Sequence, residues 1–167
     1  MGQWSLKERL QPSLLDRLTD HNTEKTKESI TQQSLSQKDF KDAVIRDLAW
    51  LLNSVSLDVC VDLEAYPEVR RSVLNYGLPD ISGHTSSTID VKAVENSVKK
   101  AIQEFEPRII RNSLRVKVHS DPSDMTHNSL VFEIEGTVFG QPSPFQIMLR
   151  SEINLECGEY NLKENLG

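Results

Sequence analysis

Leu114-Arg115-Val116-Lys117-Val118-His119, Leu130-Val131-Phe132-Glu133-Ile134-Glu135 and Phe145-Gln146-Ile147-Met148-Leu149-Arg150 share one pattern. Apolar residues recur at every second position, the period of a strand with one face buried and one in water. The turn-rich Gly140-Gln141-Pro142-Ser143-Pro144 separates the second stretch from the third. Three antiparallel strands in a meander are therefore predicted. One register satisfies charge as well as apolar alternation, because it sets Lys117 opposite Glu133 and Arg115 opposite Glu135, and a second hairpin sets Glu133 opposite Arg150.

Upstream of the first strand the period changes to that of a helix. Val91, Val94, Val98, Ala101, Ile102 and Phe105 form one apolar face behind Asp90, the expected N-cap, and Pro107 disfavours helical geometry at Glu106. Ser36 followed by Asp39 has the form of a helix start, and Phe40, Val44, Leu48, Leu51 and Leu52 continue it, predicting a helix over about 38–53. Pro67 suits a first helical position, with Val69, Val73 and Tyr76 as its stripe and Gly77 and Pro79 as its stop. Between these helices, Val55, Leu57, Val59, Val61 and Leu63 alternate with polar residues and read as a strand or an extended connector. The architecture expected is α+β, N-terminal helices followed by a small antiparallel meander of three or more strands, covered by helices on one face.

At the N-terminal end, Leu6, Leu10, Leu14, Leu15 and Leu18 fall on one helical stripe that Pro12 cuts, predicting a short helix over 13–19. The following stretch to Gln37 carries Ile30 and Leu35 as its apolar residues and is expected to be a mobile linker. Two units result, 1–37 as an amphipathic segment with linker and 38–167 as a single domain.

The chain has 167 residues, with 19 basic and 25 acidic side chains and a net charge of −6. An acidic balance without a basic run argues against nucleic-acid binding, whose affinity comes from Lys and Arg on phosphates. No apolar run approaches the roughly 18 residues of a membrane span, and the N-terminal residues lack the apolar stretch of a secretory signal, so a cytoplasmic protein without membrane insertion is expected. Cys60 and Cys157 read as isolated free thiols. His21, His84, His119 and His127 have no metal-site spacing, and neither a phosphate-binding glycine loop nor a nucleophile elbow is present, so no cofactor and no metal are expected. Glu104 with Glu106, or Glu133 with Glu135, could in principle serve as an acid–base pair, but the latter two face a polar stripe with basic neighbours.

One local sequence stands apart. Phe105-Glu106-Pro107-Arg108-Ile109 places an acid, a rigid break and a guanidinium at the junction of helix and sheet. Such a pair can lock helix to sheet or clasp a partner, and the residues alone leave both open.

Glu106-Pro107-Arg108-Ile109 occurs with Ser13-Leu14-Leu15-Asp16-Arg17-Leu18, with the segment from Arg46 to Asn53 and with the segment from Ser72 to Asp80. Taken in chain order, these four segments resemble the TssE family, baseplate subunits of bacterial type VI secretion systems. That family is similar in turn to a small wedge protein of contractile phage baseplates. The resemblance implies a non-enzymatic assembly subunit, in a baseplate docked at the inner face of the bacterial inner membrane. Its implied partners are TssF, TssG and TssK, and the TssB–TssC sheath, whose assembly around the Hcp tube it helps initiate. It further implies that Glu106, Pro107 and Arg108 contact the baseplate core, and that the Leu14, Leu15 and Leu18 stripe docks on a neighbouring subunit. The stripe packing on the chain's own core is the alternative. Open sheet edges suit strand addition by another chain, and the candidates are 114–120 and 145–154. A lysozyme-like label carried by the family makes peptidoglycan hydrolysis the competing reading, and a generic protein-binding adaptor of the same fold is a third.

Overall fold

In the computed structural model, residues 13–19, 36–83, 89–119, 129–140 and 143–164 are described. Residues 20–35 of the linker expected to run to Gln37, Leu6 and Leu10, three of the four histidines (His21, His84 and His127) and the strand connection 120–128 lie outside them, while Ser36 and Gln37 already cap and begin a helix.

The chain runs α1 (Leu14–Leu18), α2 (Gln37–Leu52), α3 (Pro67–Arg70), α4 (Val91–Phe105), then β1 (Arg115–His119), β2 (Ser129–Val138), β3 (Phe145–Asn154) and β4 (Glu159–Glu164). Each longer helix starts where its polar cap allows. Ser36 Oγ accepts the Asp39 N–H, and Asp90 accepts from both Lys92 and Ala93. These bonds satisfy amides that have no partner inside the helix.

Among the described residues, the four strands form one antiparallel sheet in the order β1-β2-β3-β4, whose outer strands are β1 and β4. Its first two registers are those the charges predicted: Lys117 lies opposite Glu133, Arg115 opposite Glu135, and Glu133 opposite Arg150. The apolar set therefore points to one face. There Leu130, Phe132, Ile134, Ile147, Leu149 and Ile153 pack under Val44, Leu48, Leu51 and Leu52 of α2 and Val94, Val98 and Ile102 of α4. Each such side chain taken fully out of water contributes roughly 1.5–3 kcal/mol. Helices and sheet are thus two layers sharing one core.

Four expectations need correction. The alternating stretch 55–64 is not a strand. Val55 makes a single bridge to Leu78, and a 3-10 turn follows over Leu57–Val59. Val55, Val59 and Val61 point to solvent because no sheet face lies beneath them. The helix expected to run from Pro67 through Tyr76 breaks after Arg70. Ser72 Oγ accepts the Leu74 N–H and starts a separate 3-10 turn, Val73–Asn75, which leaves Val73 and Leu74 exposed. Gly77 caps no helix; at φ +127 it forms a bend, and a Cβ there would lie 2.3 Å from the Ser54 carbonyl oxygen. That close approach allows the Leu78 N–H to donate to the same carbonyl at 2.8 Å.

The fourth correction concerns the sheet edges. β4, from a tail to which no role was given, pairs along β3, so 145–154 is an interior strand and the edges are β1 and β4.

Candidate functional site

α2 presents Arg46 and Asp47 side by side at its middle, facing the point where α4 stops. Pro107 turns the chain there. The Arg108 carbonyl accepts the Phe139 N–H at 2.7 Å and the Ile110 N–H reaches the Thr137 carbonyl, which ties the turn to the end of β2. Arg108 is thereby aimed back at the helices.

Its guanidinium holds Glu106 with two nitrogens, Nε to Oε1 at 2.7 Å and Nη2 to Oε2 at 2.5 Å, and Nη2 also reaches Asp47 Oδ2 at 2.6 Å. The Arg108 backbone N–H donates to Glu106 Oε1. Glu106 is 4% exposed and Pro107 is exposed. Burial works against the charge on Arg108, but Glu106 and then Asp47 outweigh it and hold the guanidinium above its ordinary pKa. The guanidinium carbon of Arg108 lies over the Phe40 ring, 5.9 Å from its centroid.

The charge network continues outward. Asp47 Oδ1 accepts from Arg46 at 2.8 Å, and Arg46 Nη1 donates to Asp16 Oδ1 of α1 at 2.6 Å. Arg46 also sits 5.0 Å from the centroid of the half-exposed Trp50 ring. The hydrogen bond from Arg46 pulls the Asp16 carboxyl below its usual range, more than burial raises it. The same bond leads the causes that raise Arg46. Tyr76 closes the corner from the side, its hydroxyl 3.4 Å from the Asp47 carbonyl and its ring edge-on to Phe105 at 5.3 Å. Burial, ahead of the Asp47 and Glu106 charges, raises its phenol above the ordinary value.

Of the residues expected to act, Glu106, Pro107 and Arg108 thus sit together, and the pair locks α4, α2 and β2 to one another. Leu14, Leu15 and Leu18 lie apart from them on α1, at 71%, 47% and 75% exposure. They do not pack on the chain's own core. Asp16, Arg46 and Asp47 were not anticipated as members of the site, although all three lie in the segments that carried the resemblance. Those four segments converge on this one corner.

Chemically the corner is an ionic clamp in which both Glu106 oxygens already accept from Arg108, while the buried Arg108 Nη1 has no hydrogen-bond partner among the described residues. Pro107, Ile110 and Phe139 are exposed apolar residues beside it. Among the described residues no cluster of three His, Cys, Asp or Glu side chains is placed to hold a metal, and no helix is long and apolar enough to cross a membrane.

A family model described as baseplate wedge protein gp25 matches residues 38–143, more than half of the chain. The chain belongs to this family. It is the family to which the TssE resemblance pointed, and it gives the chain a structural place in the baseplate of a contractile injection machine. No curated protein and no solved structure matches the chain. The match takes in α2, α3, α4, β1, β2 and the Glu106–Arg108 corner, and it stops before β3.

Proposed function

We propose that the chain is the TssE-type subunit of a type VI secretion baseplate. It helps start the contractile sheath by offering a sheet edge to strands of the first TssB–TssC ring. The observation that carries this reading is an antiparallel sheet with two outer strands, β1 and β4, in a member of the baseplate wedge family. An outer strand exposes a row of backbone groups that a neighbouring chain can pair with. In this reading the clamp holds the helices rigidly against the sheet, and the exposed Pro107, Ile110 and Phe139 beside it meet the TssF–TssG–TssK core. The outward leucines of α1 meet a neighbouring subunit. The complex stands in the cytoplasm at the inner membrane.

Co-purification tests this. The wild-type chain should retain TssF and TssG, whereas Phe139→Ser, or serine at Leu14, Leu15 and Leu18 together, should lose at least one of them. All these side chains are exposed, so both variants should unfold at the wild-type temperature. Full retention by both variants sinks the assignment of the two surfaces, and failure of the wild type to retain either protein sinks the function.

A further inference from the structure

The two outer strands are not equally open. On β4 the side chain of Asn53, at the C-terminal cap of α2, occupies both outward groups of Tyr160. The Tyr160 N–H donates to Asn53 Oδ1 at 2.9 Å, and Asn53 Nδ2 donates to the Tyr160 carbonyl at 3.0 Å. A side-chain amide has the donor and acceptor of a peptide group, so Asn53 stands where one residue of a fifth strand would stand. Lys41, near the start of the same helix, pairs with Glu164 at the far end of β4. Helix α2 therefore pins this strand at both ends.

On β1 the outward side is held differently. In an antiparallel pair, alternate residues turn their backbone groups away from the partner strand, and here these are Val116 and Val118. The Val118 N–H donates to Glu95 Oε1 of α4 at 2.7 Å. Among the described residues no other bond reaches the outward amides and carbonyls of these two valines. A carboxylate accepts but cannot donate, so Glu95 blocks one group and matches none of the carbonyls. It sits on a half-exposed helix surface, from which its side chain can swing into water.

We propose that β1 is the acceptor edge and that Glu95 is its latch, displaced when an incoming strand's carbonyl takes over the Val118 N–H. The proposal rests on the strand-addition reading above and adds to it the edge and its control. It also specifies the guest. Positions beside Arg115 and Lys117 on the exposed face favour acidic residues, and positions beside the half-buried Val116 and Val118 favour apolar ones. The partner is an extended segment alternating acid with aliphatic.

The test uses the full chain and an amidated peptide alternating glutamate with valine, read by titration and by amide hydrogen exchange. Binding should slow exchange at Val116 and Val118, and Glu95→Ala should bind about tenfold more tightly, because a charge-assisted bond no longer competes. Glu95→Gln, which keeps a neutral acceptor, should fall between. Slowed exchange at Leu162 on β4, in place of the valines, overturns the choice of edge while leaving strand addition standing. Protection at the valines with equal affinity in all three proteins overturns the latch. No protection on either edge in any of them overturns strand addition as well.

Discussion

Arg108 is the side chain on which three elements lean. Removing it leaves the buried Glu106 carboxylate without its cation, while Asp47 keeps Arg46, and breaking such a partly buried pair from one side costs about 3 kcal/mol. Arg108→Ala should therefore lower the urea midpoint substantially, and adding Glu106→Gln to that variant should restore part of the loss. Equal midpoints for wild type and Arg108→Ala would show that the clamp does not hold the corner. Ser151 is the opposite case. Its hydroxyl is buried between Phe132 and Leu162 of the neighbouring strands with no partner among the described residues, so Ser151→Ala should stabilise the protein by about 1 kcal/mol in the same assay. An unchanged or lower midpoint would mean the hydroxyl is satisfied after all. The acid, proline and arginine were legible at this scale because they adjoin in sequence. Asp16 and Asp47 were not, since nothing local indicates which distant cation a surface acid will meet.

At the scale of elements, one ion pair, Asp16 with Arg46, ties α1 to α2 among the described residues. Arg46 holds the Asp16 carboxyl below its ordinary value of 3.8, so the pair contributes fully above about pH 4. That contribution disappears as the pH falls through the lower folded-state value. The Leu14, Leu15 and Leu18 methyl resonances should move to unstructured positions on acidification below pH 4 while core resonances stay put, and Asp16→Asn should show the released pattern at pH 7. Methyl positions insensitive to both changes would mean that something else seats the helix. The longer helices and the first three strands were readable because caps, period and charge pairing agreed with one another. β4 was hidden for a physical reason: its register sets Lys163 opposite Arg150, like beside like, and Tyr160 and Leu162 are the only large apolar side chains along its length. The 55–64 stretch erred the other way, since alternation without a neighbouring strand makes no sheet.

For the whole molecule, the residues that match the wedge family stop at 143, yet the core does not. Ile147, Leu149, Ile153, Leu155 and Tyr160 are all buried beyond that point, and Asn53 ties β4 back to α2. A chain ending at residue 154 loses the cover of β3 and two core side chains, so it should self-associate in light scattering. A cooperative monomer from that truncation would show that β4 is dispensable. Fold class was legible at this scale because the switch from helical to strand period is global. The occupation of the outward Tyr160 backbone groups on β4 depends on one amide side chain, Asn53, and no periodicity encodes that.

Asn53 has a consequence that reaches past the single subunit. If β1 is the acceptor edge, as proposed, the sheet is extended from the flank opposite Asn53, and anything built on it by strand addition acquires polarity. Growth would then have a defined origin and one heading, as a terminus requires and an interior repeat does not.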